Sequence, residues 1–403
     1  MPGMKVALLV PDGAADEARE ELGGKTPLEA ARTPNMDRIA SLGSTGTIAT
    51  VPPGLPPGSD VANFSLMGYD PTAHYSGRGP IEAANMGIEV PPGWSAFRCN
   101  LVHADGERML DYSAGHIGQR EAGRIIGALE SGLGDSETRF FQGKSYRNTL
   151  LVKGVFSGLQ CTPPHDITGE PLAGHLPRGE GAERVLDIMD RARGVLESLE
   201  AGRAHAGQGA TRRIMIWPWG QGGSIALEPF EARFGLRGSV ISAVDLVSGL
   251  GRLAGLVPVE VSGATGYLDT NYRGKGEAAV RALTEGDFVF VHVEAPDEAS
   301  HMGSATEKVA AIERFDELVV GPVLGAAAGA GRFRVMVCPD HPTLLRTRTH
   351  DASPVPYAAF GAGIPRAESS AFSEAQAIRG GPHFDPGWRM MECLTGDFMG
   401  SDA

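Results

Sequence analysis

The chain has 403 residues, 42% of them apolar and 21% charged, which is enough for two substantial cores in an ordinary globular protein. Its net charge of −13 argues against a nucleic-acid surface, which needs clustered Lys and Arg to meet phosphates. A small anionic substrate is not excluded, because a local arginine cluster or a metal outweighs a diffuse acidic field.

The first element is "KVALLVPDG", a short continuous apolar run closed by a turn signal, as in a buried strand. The run is too short for a signal peptide, and no stretch approaches the roughly 20 apolar residues of a membrane span. Next, "GGKTPLEAARTPNMDRIASLG" carries two helix starts. Thr26 to Glu29 fits a capping box with Pro27 at the first helical position, Thr33-Pro34 repeats the device, and Gly43 suits a C-terminal cap. A short strand over residues 46–51 completes the opening of an α/β domain.

Between about 75 and 210 the texture changes. Glycine is frequent, "ERMLDYSAG" and "YRNTLLVKG" alternate as antiparallel strands do, and "ERVLDIMDRARGVLESLE" is an amphipathic helix. We expect a smaller inserted α+β domain over 75–210, with 201–211 as a flexible return linker. Residues 1–74 and 211–403 are then the core domain. There "RRIMIWPWG" reads as a strand, "SAVDLVSGLGRLAGL" as a helix, "LVPVEV" as a strand and "GEAAVRALT" as a helix. "DFVFVHVEAPDEASH" is a strand running into a polar loop, and "SATEKVAAIERFDELVVGPVLGAA" is a long helix. "RFRVMVCPDH" is a last strand with a polar end. Continuous apolar strands alternating with helices predict a mostly parallel sheet covered on both faces.

Cys99, Cys161, Cys338 and Cys393 form no CxxC pair, so neither a disulfide framework nor a zinc knuckle is expected; a soluble protein in a reducing cytoplasm is. "GGKTP" lacks a P-loop's upstream glycine, and no GxSxG elbow is present.

Ligands of open α/β sheets collect at the carboxyl ends of the strands. The predicted strands deliver Asp12, then Asp297 and His301, then Asp340 and His341 with His350 beyond, and "PPGLPPGSD" delivers Ser59. A single Asp after a strand is more often a turn former than a ligand, and a single Ser before a helix is more often its cap. Independent caps have no reason to gather carboxylates and imidazoles at several strand ends, so the set reads as a site for Mn²⁺, Zn²⁺ or related ions. Seven side chains exceed one ion's needs, and two ions suit an in-line phosphoryl displacement. Asp297 and His301, four apart, share a face of one helical turn. His292, inside a strand, reads as a histidine packed in the core or at its edge. Pro56, Pro57 and Gly58 form a stiff platform before Ser59, and a helix starting near Asp60 would aim its amides at a phosphate.

"LLVPDGAAD", "GGKTPLEAARTPNMDRIASLG", "PPGSDVANFSLMGYDP", "YSGRGPIEAANMG", "AFRCN", "GATGYLDTNYRGKGEAA", "APDEASHMG" and "DH…RTRTHDASPVPYA" resemble, in order, the archaeal-type cofactor-independent phosphoglycerate mutases of the alkaline phosphatase superfamily. The resemblance implies an alkaline-phosphatase-like α/β core with an inserted lid. It implies isomerase activity on phosphoglycerate through a transiently phosphorylated Ser59, with no 2,3-bisphosphoglycerate cofactor. It assigns Asp12, Ser59, Asp340 and His341 to one divalent ion and Asp297, His301 and His350 to the other, with Mn²⁺ foremost and Zn²⁺, Co²⁺ or Mg²⁺ as alternatives. It gives the grip on the phosphorylated substrate to Arg78, Arg98, Arg147, His165 and Asp166 of the insert and Lys275 of the core. "MIWPWGQGG" looks instead like a bacterial branch proposed to act as homoserine kinases, which leaves a homoserine phosphotransferase, or a metallophosphatase, as alternatives.

Overall fold

The computed structural model describes residues 3–199, 213–327, 329 and 331–398. The chain divides into two compact units, Met1–Tyr75 with Leu227–Ala403, and Ser76–Ala226. The expected linker at 201–211 lies outside the described residues.

The larger unit is built on an eight-stranded sheet in the order Val257–Pro258, Gly238–Ile241, Phe288–Val293, Lys5–Pro11, Phe333–Val337, Val355–Gly361, Ser44–Ile48 and His383–Phe384. All run the same way except Val355–Gly361, which is antiparallel to both neighbours. The loop between Phe333–Val337 and Val355–Gly361 carries a small hairpin and no crossover helix, as suits a direct return to an antiparallel neighbour. Strand Lys5–Pro11 is central, paired on both sides, and residues 6–10 have no exposed surface. That burial on both faces is why its sequence is unbroken Val, Ala and Leu. Each fully buried Phe or Leu contributes about 2–3 kcal/mol relative to exposure, so Phe288 and Phe290 anchor the sheet as strongly as any pair in it.

The capping box is present: Thr26 accepts from the Glu29 amide, and the Glu29 carboxylate accepts from the Thr26 amide. Thr33 does not cap its helix; its hydroxyl turns to Asp37. The long helix expected after Ser304 is broken by a π-turn over Asp316–Val320. There the Asp316 carboxylate receives the amides of Asn35 and Met36, locking the helix Pro34–Leu42 against it. The expected strand "LVPVEV" shrinks to Val257–Pro258, an edge position that tolerates proline.

The smaller unit is an antiparallel sheet. Its long strand Trp94–Ala104 pairs with Arg147–Lys153, Met109–Asp111 and Arg213–Gly223. The helices Gln119–Leu133 and Ala182–Ser198 pack on it and bury Ile125, Ile126 and Leu129 with Val185, Ile188, Met189, Ala192 and Leu196, at helical spacing. One boundary differs from expectation. "RRIMIWPWG", read as a core strand, is Arg213–Gly223 of the smaller unit, which extends to Ala226 rather than 210. A buried apolar run looks alike in either sheet, and only its partner, Trp94–Ala104, decides. Among the described residues no helix is long and apolar enough to cross a membrane.

Candidate active site

At the carboxyl edge of the large sheet, three strands and one helix deliver the residues singled out above. Strand Lys5–Pro11 ends at Asp12. Gly13 follows at φ +62, turning the chain where a Cβ would lie 2.5 Å from Thr343 Oγ1 and 2.7 Å from Asp297 Oδ1. Strand Phe288–Val293 runs into the helix Ala295–His301, where a polar loop was expected. That helix puts Asp297 and His301 one turn apart, with Oδ2 and Nε2 3.1 Å from each other. Strand Phe333–Val337 leads to Asp340 and His341, and then to the small hairpin Thr343–Leu344 and Thr349–His350, which folds His350 back opposite Thr343.

Ser59 is the first residue of the helix Ser59–Leu66, and its cap position belongs to Gly58 rather than to Ser59 or Asp60. Asp60 instead accepts the Tyr75 hydroxyl at 2.6 Å. Ser59 Oγ therefore turns away from the helix backbone, to 3.2 Å from His341 Nε2. Asn63, one turn on and fully buried, donates to the Ser59 carbonyl at 2.7 Å and to Asp340 Oδ2 at 2.9 Å, fixing the serine relative to that carboxylate.

Three clusters of ligand-type atoms result: Asp297 with His301 and His350, Asp12 with His292 and Asp340, and Asp12 with Asp297 and His341. His301 and His350 face each other through Nε2 at 3.1 Å, an arrangement two lone pairs tolerate only with a cation or proton between them. Each Nδ1 is near a main-chain carbonyl, Arg348 at 2.9 Å for His301 and Pro57 at 3.4 Å for His350. A ring that donates from Nδ1 presents Nε2 as a ligand, the usual outer support of metal-bound histidine.

The electrostatics point the same way. Burial, then the charges of Asp340 and Asp297, push Asp12 well above the usual carboxylate range. Asp340 is also pushed up by burial, yet His341 and His292 hold it low. Asp12 Oδ1 is buried without a hydrogen-bond partner. Two buried carboxylates this close conflict unless a cation sits with them, so the donor set fits a divalent ion. Burial also lowers His341, keeping its ring neutral and its nitrogen available. Asp297 is raised by burial but held well below its ordinary range by His301 and His350. His301, bonded to Asp297, rises to about 9.

His292, read as packed in the core or at its edge, is fully buried but polar on both sides: Nε2 lies 3.4 Å from both Asp12 Oδ2 and Asp340 Oδ2, and Nδ1 3.4 Å from Glu294 Oε1. Lys275, expected to reach substrate, is also fully buried. Its Nζ donates to Glu294 Oε2 at 2.6 Å and to the His292 carbonyl at 2.9 Å. Sequence reasoning passed over Asn63, Glu294 and Thr343, and left His292 to the core or its edge.

In the smaller unit, the register pairs Arg98 with Trp219 and Asn100 with Arg147, so these four share one sheet face. The Arg98 guanidinium lies 3.9 Å over the Trp219 ring, with Nε 3.0 Å from Glu82, and the Trp219 indole is pinned by Asn100 Oδ1 at 3.1 Å. Burial lowers the Arg98 pKa; Glu82 opposes this, and the Arg78 and Arg147 charges add to it. His165, beside Asp166 at 3.5 Å and edge-on to Trp219, is lowered by burial and by Arg98 and Arg78. The structure thus brings Arg78, Arg98, Arg147 and His165 into one electropositive group suited to an anion.

Comparison with known proteins agrees with these features. The model of the 2,3-bisphosphoglycerate-independent phosphoglycerate mutase family matches residues 40–201. A probable mutase of this kind from Geobacter sulfurreducens is 46% identical over 396 residues, 97% of this chain and 99% of its own. One from Methanothermobacter thermautotrophicus is 47% identical over 393 residues, 97% of each. A bacterial and an archaeal relative thus stand at the same distance. The solved structure of a Pyrococcus horikoshii protein matches with a TM-score of 0.78 at 28% identity over 98% of both chains. A cofactor-independent phosphoglycerate mutase from Thermoplasma acidophilum gives 0.68 at 26% identity, over 98% of this chain and 99% of its own. With close relatives covering nearly its whole length, the chain belongs to the 2,3-bisphosphoglycerate-independent phosphoglycerate mutase family.

Proposed function

We propose that the protein interconverts 3-phosphoglycerate and 2-phosphoglycerate through a phosphoserine at Ser59. The observation that carries this is Ser59 Oγ at 3.2 Å from His341 Nε2, beside carboxylate and imidazole clusters able to hold two divalent ions. Asp12, Ser59, Asp340 and His341 would hold one ion, with His292 against the two carboxylates, and Asp297, His301 and His350 the other. Bound ions, Mn²⁺ foremost, supply Lewis acidity that favours the ionised serine and neutralises phosphoryl charge.

The chain's own residues do the rest. Asn63 and the Gly58 cap hold Ser59 so that its oxygen, not its backbone, faces the phosphorus. Ser59 Oγ bonds to phosphorus as the bond to the substrate's 3-oxygen breaks, and the proton lost by serine is balanced by the one the departing oxygen gains. Glycerate stays bound, and its 2-hydroxyl takes the phosphoryl group back, restoring the serine. The helix Ser59–Leu66 begins at the same residue, so the positive end of its dipole favours phosphoryl charge there. We assign Arg78, Arg98, Arg147 and His165 to the grip on the substrate's anionic groups, and Asp166 to a substrate hydroxyl, which it can accept from. A cytoplasmic site of action fits such a substrate.

A coupled assay tests this. With 3-phosphoglycerate and Mn²⁺ the protein should form 2-phosphoglycerate, and chelator should stop it. Turnover with homoserine plus ATP, and none with 3-phosphoglycerate, would replace this reading with the phosphotransferase.

A further inference from the structure

The hydroxyl of Thr343 touches one member of each ligand group. It donates its single proton to Asp297 Oδ1, and its oxygen lies 3.2 Å from His341 Nδ1. A carboxylate only accepts and a hydroxyl has one proton, so His341 Nδ1–H donates to Thr343. That leaves the His341 Nε2 lone pair turned toward Ser59 Oγ at 3.2 Å and Asp12 Oδ1 at 3.5 Å. One side chain sets both the reach of Asp297 and the tautomer of His341.

Thr343 is itself held from behind. It is fully buried, and its carbonyl accepts from Lys308 Nζ at 2.8 Å. The same ammonium, also fully buried, bonds Asp16 Oδ2 at 2.8 Å and the Ala15 carbonyl at 3.3 Å, using all three of its protons. Asp16 Oδ2 in turn accepts the Leu345 amide at 3.1 Å. Lys308 therefore ties the loop after Asp12 to the hairpin after His341, from the helix Ala305–Phe315 that follows His301. Gly13 leaves room for this, since a Cβ there would collide with Thr343 Oγ1 and Asp297 Oδ1.

We propose that Thr343, held by Lys308, is a positioning residue that couples the two ligand groups, so that its hydroxyl sets the affinity of both for divalent ions. This rests on the reading of those groups as ion ligands given above.

The test is Mn²⁺ binding to the full chain by chelator competition, comparing Thr343→Ser with Thr343→Ala. Both lose the methyl group, and only serine keeps the hydroxyl. Outer-shell partners of metal ligands typically contribute 10–100-fold in affinity, so the alanine variant should bind both ions about 10-fold or more weakly. The serine variant should stay within about threefold of wild type on the same scale. Affinities are compared between variants shown to be folded in chelator, because the hydroxyl's bonds to Asp297 and His341 also stabilise the ion-free chain; a purely structural role would lower the melting temperature without weakening ion binding to the folded protein. Thr343→Val, which fills the methyl volume without the hydroxyl, should match alanine and decides the matter if alanine does not fold. Equal affinity in the serine and alanine or valine variants overturns the coupling. A wild-type chain that binds fewer than two ions overturns the ligand reading instead, and the coupling with it.

Discussion

Replacing Lys275 with methionine separates two roles for that side chain. The ammonium is fully buried between Glu294 and the His292 carbonyl, at 2.6 and 2.9 Å. Methionine keeps the aliphatic stem and removes the cation, leaving Glu294 at 2% exposure without its ammonium partner and with His292, 3.4 Å away, as its remaining cationic neighbour. Breaking a buried ion pair from one side costs about 3–5 kcal/mol. Glu294 keeps the Ser242 hydroxyl at 2.9 Å and the Ala243 amide at 3.0 Å, which places the expected loss near the lower end, about 3 kcal/mol. The loss should depend on pH. Burial pushes Glu294 up, but the Lys275 charge and His292 hold it well below the usual carboxylate range. A depressed folded pKa contributes stability that is fully present above the unfolded value of about 4.3 and is lost progressively as pH falls from there toward the much lower folded value. Wild type and variant should therefore differ most near neutrality and begin to converge below about pH 4. Urea unfolding in chelator measures this, and adding Glu294→Gln should recover much of the loss. A Lys275→Met variant with wild-type stability and a raised KM would refute the reasoning and return Lys275 to the substrate.

Two further outcomes are expected. His292 is lowered by burial, yet its bonds to Asp340 and Glu294 raise it to about 9. A raised folded pKa stabilises below the unfolded value of about 6.5 and is lost as pH climbs toward 9, a contribution of about 3 kcal/mol. Chelator-treated protein should thus melt at lower temperature as pH rises from 6.5 to 9.5, His292→Gln should flatten the curve, and a flat wild-type profile would contradict the assignment. Trp219→Leu removes the surface under Arg98; with a cation–π contact worth about 1–2 kcal/mol, KM for phosphoglycerate should rise about tenfold with kcat little changed. Trp219→Phe should keep part of the effect, and an unchanged KM in both variants would remove Arg98 from the substrate grip.

The sheet and the clustering of the candidate ligands were legible because both leave strong local marks. Short, valine-bearing apolar runs such as "VALLV" and "FVFVHV" read as strands buried on both faces, and Asp or His just beyond them lands on the carboxyl edge of the sheet. His292 was hidden by that same logic: inside a doubly buried strand every position looks like core, so nothing marks the one side chain that meets Asp12 and Asp340. Asn63 and Thr343 were hidden because a buried polar residue has no period. Their partners lie 277 residues away for Asn63 to Asp340 and 46 for Thr343 to Asp297. Lys275 was placed by resemblance, and no pattern in the helix Tyr272–Glu285 distinguishes a lysine reaching outward from one pairing inward with Glu294.

The central claim is that Ser59 carries the phosphoryl group, and acid-quenched mass spectrometry addresses it directly. After brief mixing of the Mn²⁺-loaded protein with 3-phosphoglycerate, the peptide containing Ser59 should be phosphorylated, and Ser59→Ala should show neither the modification nor any 2-phosphoglycerate. Continued interconversion by Ser59→Ala, or phosphate found on another residue, would contradict the account.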